Sequence, residues 1–68
     1  MLAAHLNVER FVEMVLSEYH EMPGLELTKP QISRFLGIDA ATCDVVLELL
    51  ERDKVLRRTS RNAYVLRS

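Results

Sequence analysis

Six of the nine Lys and Arg residues crowd into the last seventeen positions: Arg52, Lys54, Arg57, Arg58, Arg61 and Arg67. Only Asp53 opposes them, so this segment carries +5, while the preceding 51 residues hold three cations and nine acids, or −6. Clustered guanidinium groups suit phosphate, which they neutralise with release of counterions. Other residue types offer less. His5 and His20 lie fifteen residues apart and Cys43 is the only thiol, which is not zinc-ligand spacing. A Cys43–His20 nucleophile pair has no orienting third group or oxyanion donor that the sequence identifies. Asp44, Glu48 and Glu51 recur at helical spacing and read as a solvated acidic face, not a general acid/base pair. Gly24 and Gly37 are explained by turns and form no phosphate loop. No catalytic residue, metal or cofactor is assigned on these grounds.

Length narrows the choice further. A chain of 68 residues makes one domain, spanning 1–68. Domains near this size bury only about 60% of their unfolded surface, which leaves little room to enclose a substrate pocket of several hundred Å³. A binding or interaction module, not an enzyme, is expected. The net charge of −1 excludes a uniform polycation, and 49% hydrophobic with 28% charged residues is the balance of a folded chain. One cysteine forms no internal disulfide and suits a reducing compartment. No apolar stretch approaches the ~18 residues of a membrane span, and Met1–Leu6 lacks the basic start of a signal peptide. A cytoplasmic protein with no membrane partner is the expectation.

Three helices must position the charged segment. Val8, Phe11, Val12, Val15, Leu16, Tyr19 and Met22 share one helical sector, with Asn7 as N-cap and Pro23-Gly24 as the stop. Residues 1–6 are then an arm or a helical extension with an apolar edge at Leu2 and Leu6. Thr28-Lys29-Pro30-Gln31 reads as a capping box that opens a two-turn helix burying Ile32, Phe35 and Leu36 and ending at Gly37. Asp39 starts a third helix with the stripe Cys43, Val46, Leu47 and Leu50, running to Arg52 or Asp53. Two β-prone runs, Val55–Thr59 and Ala63–Arg67, flank Ser60-Arg61-Asn62 as a hairpin with a basic tip. Tyr19 and Tyr64 are expected to bury their rings and leave their hydroxyls at the edge. The fold class is mainly α with a small β-hairpin, in the order α-α-α-β-β.

A capped short helix, a glycine turn, a longer helix and then a hairpin resemble a winged helix-turn-helix domain. Leu27–Ile32, Phe35–Asp39, Leu47 with Leu50, and Val55–Arg58 carry the likeness, which covers Asn7 to Arg67. The segment Tyr19–Thr28 is also similar to small bacterial winged-helix proteins. The resemblance implies a DNA-binding transcriptional regulator, with a homodimer as its working form. It implies phosphate contacts from Thr28, Lys29 and Gln31, and base-facing positions at Ala40, Ala41, Thr42, Val45, Glu48 and Leu49. The wing would add Arg57, Arg58, Arg61 and Asn62.

The third helix departs from a base-reading pattern. Its expected outer face carries Asp44, Val45, Glu48, Leu49 and Glu51, with Arg52 its one cation. Carboxylates repel phosphate, and Val45 and Leu49 provide no hydrogen-bonded base code. An alternative therefore stands beside DNA binding: a protein-interaction module in which Val45, Glu48 and Leu49 engage a partner. Met14, Leu6 and Leu2 are further candidates for a dimer surface.

Overall fold

The computed structural model describes the backbone of residues 2–67 and the side chains of residues 8–67. Helix α1 runs Leu2–Glu21, so its backbone passes straight through Asn7, which is not its cap. The reason is local: Leu and Ala before Asn7 are strong helix formers, and no Gly or Pro interrupts them. The readings placed on the side chains of Leu2, His5 and Leu6 lie outside the described residues. Val15 and Tyr19 are buried, with Val8, Phe11, Val12 and Leu16 packed against the same core. Met22 follows the last helical residue and is 54% exposed, because the chain turns there through Pro23 and Gly24. That turn is closed by the Leu25 N–H donating to the Met22 carbonyl at 2.8 Å.

Strand β1, Glu26–Thr28, is an element that the sequence pattern does not announce. It pairs antiparallel with β3 (Ala63–Leu66), placing Glu26 opposite Val65, Leu27 opposite Tyr64 and Thr28 opposite Ala63. Strand β2, Leu56–Arg58, pairs with the other edge of β3, so the expected two-stranded hairpin is part of a three-stranded sheet of order β1-β3-β2. The element order is accordingly α-β-α-α-β-β, not α-α-α-β-β. Three residues give too little alternation to mark a strand. The pairing of β1 is created by β3, more than thirty residues downstream.

Helix α2, Lys29–Leu36, opens with the complete capping box. The Gln31 N–H donates to Thr28 Oγ1 at 3.4 Å, and the Thr28 N–H donates to Gln31 Oε1 at 2.8 Å. Ile32 and Leu36 are buried, but Phe35, expected in the core, is 47% exposed. At about 100° per residue, Phe35 falls about 60° beyond Ile32 on the side away from Leu36, so it lies at the edge of the buried sector. Gly37 ends the helix at φ 70, and the N–H groups of Gly37 and Ile38 return to the carbonyls of Arg34 and Ser33. This left-handed closure favours glycine.

Helix α3, Ala40–Arg52, buries Cys43, Val46, Leu47 and Leu50, the stripe expected of it. Its end repeats the α2 closure with a different residue. The Lys54 and Val55 N–H groups return to the carbonyls of Glu51 and Leu50, and Lys54 occupies the left-handed position at φ 59. In the hairpin, the Asn62 N–H donates to the Thr59 carbonyl while Asn62 itself adopts φ 61. Asn tolerates that conformation better than other non-glycine residues, which suits a three-residue hairpin loop.

Sheet and helices share one core, to which Leu56 and Tyr64 contribute alongside the helical stripes. Tyr19 departs from its expected placement: it is fully buried, and its hydroxyl donates to the Tyr64 carbonyl at 2.6 Å. Helix α1 is thereby tied to the central strand by a polar contact inside the core.

Candidate functional site

The pairing of β1 with β3 brings the start of α2 beside the hairpin. Thr28 lies opposite Ala63, and Arg58 lies opposite Tyr64 on the far side of β3. Thr28, Lys29, Pro30, Arg58, Asn62 and Tyr64 consequently line one open groove of about 500 Å³. Four residues singled out from sequence, Thr28, Lys29, Arg58 and Asn62, are thus gathered on one surface. Pro30 and Tyr64, legible in the sequence only as a helix-start residue and a buried ring, join them as walls.

The other candidates are distributed differently. Gln31 is exposed, with its carbonyl oxygen engaged by the Thr28 N–H. Arg61 is exposed at the hairpin tip and Arg57 is exposed on β2. Ala40 faces a neighbouring groove with Lys29, Ser33 and Arg34. Ala41, Thr42 and Val45 line a groove against α1, together with Val8, Phe11 and Ile38. Glu48 shares a cleft with Lys29, Asp44, Glu51 and Arg58. Leu49 is only partly exposed and sits over Glu9, Val12 and Glu13 of α1. The outer positions of α3 therefore divide between two sides of the helix. Val45 and Leu49 turn toward α1, while Glu48 turns toward the sheet.

Lys29 is the pivot of the electrostatics. Its ammonium forms an ion pair with the Asp44 carboxylate, and both side chains are roughly half exposed. The Asp44 hydrogen bond and charge hold the Lys29 pKa above the ordinary lysine value. Nothing in the spacing of residues 29 and 44 announces this pair. The helical recurrence of Asp44, Glu48 and Glu51 did, however, mark an acidic face.

At the start of α3, Asp39 forms no closed side-chain cap. Even so, the neighbouring Thr42 hydroxyl keeps its carboxyl below the usual carboxylate range.

Several chemical options narrow on geometry. Cys43 is fully buried, with its thiol 3.8 Å from the Lys29 carbonyl, whereas His20 is exposed on α1. Among the described residues no group of three His, Cys, Asp or Glu side chains is placed to hold a metal ion. No helix among them is long and apolar enough to cross a membrane. What the groove offers is a hydroxyl, an amide and two cations at an open surface, a set that can receive an anionic, hydrogen-bonding chain. No known protein family, curated protein or solved structure matches the chain.

Proposed function

We propose that the chain is a winged helix-turn-helix module that grips the backbone of duplex DNA, as a small transcriptional regulator. The observation that carries this reading is the gathering of Thr28, Lys29, Arg58 and Asn62 in one open groove. The order α1-β1-α2-α3-β2-β3, with Gly37 turning α2 into α3 and the hairpin beside the start of α2, suits that reading. The grip relies on side chains more than on helix-end amides. Pro30 has no N–H, and the Gln31 N–H is taken by Thr28. Arg57 and Arg61 extend the positive field around the hairpin.

Fluorescence anisotropy with a labelled duplex tests the proposal. The protein is expected to bind in ~50 mM salt, where counterion release favours even non-specific contact. Arg58→Glu with Arg61→Glu is expected to weaken binding about tenfold or more and to flatten the log–log salt slope by about two, since each phosphate contact contributes about 0.9. Absence of binding by the unaltered protein at that salt, or an unchanged slope in the variant, overturns the reading.

A second reading, self-association, is favoured by one feature. Val45 is 46% exposed and opens onto the groove shared with Val8, Phe11 and Ile38. A second copy seated there would cover these apolar side chains, and a dimer would double the few phosphate contacts that each chain brings. Val45→Asp is expected to keep the helical circular dichroism signal and abolish the dimer in sedimentation equilibrium. Dimers that survive this change count against the reading. Leu49 is less informative as a probe, since it is partly covered by α1.

A further inference from the structure

We propose that the carboxylates of α3, with Asp44 foremost, compete with phosphate for the two gripping cations and so set how tightly the module holds DNA. Lys29 and Arg58 both line the same two surfaces. On one side they line the open groove with Thr28 and Asn62. On the other they line the cleft that holds Asp44, Glu48 and Glu51. The two cations therefore stand on the border between the open groove and a row of carboxylates. Asp44 already occupies Lys29 through their ion pair. A phosphate that approaches Lys29 must displace this carboxylate or share the ammonium with it, and the net gain from the contact shrinks accordingly. Glu48 and Glu51 add repulsion along the same wall, so a duplex is held by the start of α2 and the hairpin and kept off α3. The inference rests on the duplex-binding reading and adds to it a built-in attenuator, in which an acidic helix face limits the grip of its own cations.

The experiment is a duplex titration of the full chain and its Asp44→Asn variant between 50 and 200 mM salt. Glu9→Gln serves as a charge-matched control on the opposite side of α3, where Glu9 faces Leu49 and Asp53. Asp44→Asn is expected to tighten binding about 3- to 10-fold at 50 mM salt and to steepen the salt slope by about one, as a freed Lys29 releases one more counterion. Glu9→Gln is expected to change affinity much less, because salt screens exposed charges beyond about 10 Å. An NMR titration of the Lys29 side chain provides a readout that needs no DNA: its pKa should fall in Asp44→Asn.

Equal affinity of Asp44→Asn and the unaltered protein overturns the inference and leaves the duplex reading standing. An equal gain in Glu9→Gln also overturns it, by assigning the effect to net charge alone. If neither the unaltered protein nor Asp44→Asn binds duplex, both readings fall. Binding by Asp44→Asn alone supports the attenuation and removes DNA binding from the unaltered chain.

Discussion

Leu50→Ala is expected to cost about 2–5 kcal/mol, the range for truncating a buried leucine when the surroundings relax only partly. Leu50 is 2% exposed and closes the buried α3 stripe that begins with Cys43, Val46 and Leu47. Those residues pack on α1 and on the sheet through Val15, Tyr19, Leu56 and Tyr64, so the cavity would open where helices and strands meet. The Leu50 carbonyl, which accepts the Val55 N–H, remains in the alanine variant, so the loss is one of packing and not of the helix closure. A domain of this size has a total stability of roughly 3–10 kcal/mol at 0.05–0.15 kcal/mol per residue. The variant should therefore be largely unfolded at physiological temperature, or lose a large part of its urea midpoint. Val45→Ala, on the exposed side of the same helix, should stay within about 0.5 kcal/mol. Equal losses at the two positions would mean that α3 does not bury the stripe described here.

The second large effect is alkaline. Burial pushes the Tyr19 phenol up to about 12; the Leu27 backbone partly offsets this, and the Glu26 carboxylate adds to it. A phenol whose folded pKa is raised contributes stability that is complete below its ordinary value of 10 and is lost as pH climbs toward 12. Two units at 1.36 kcal/mol each correspond to about 2–3 kcal/mol over that window. Urea unfolding at pH 9 and pH 12 measures the total loss. Tyr19→Phe isolates the part owed to this phenol, because other groups that titrate there change alike in both proteins. The phenylalanine variant should begin about 1 kcal/mol weaker at neutral pH, having lost the hydrogen bond to the Tyr64 carbonyl. It should then lose less stability as pH rises. Parallel alkaline losses in the two proteins would assign the effect to other groups.

Both effects come from parts of the molecule that were unequally legible. Leu50 could be assigned to the core from spacing alone, since Cys43, Val46, Leu47 and Leu50 form a helical stripe between a recognisable start and stop. The hydroxyl of Tyr19 could not. Its partner is 45 residues away, and sequence suggested a hydroxyl left at the edge. The exposure of Phe35 is not legible either, because apolar identity does not say which residues of a two-turn helix fall outside the covered sector. Of the groove, each half was visible separately, as a capping box and as a basic hairpin. Their meeting was not, because it depends on β1, a strand too short to carry a pattern of its own.

What the sequence by itself determined are the local decisions: where α2 and α3 begin and end, the left-handed turn at Gly37, the hairpin loop at Asn62, and the stripes that must be buried. These depend on hydrogen bonds and periodicities that link residues about five positions apart or fewer. Tertiary structure alone decided the third strand, the Tyr19–Tyr64 contact, the division of α3 between two sides, and the Lys29–Asp44 pair that joins α2 to α3. Such contacts exist only once distant segments are packed together. Their chain-closure entropy is offset by burial shared across the whole core, which no single stretch of residues encodes.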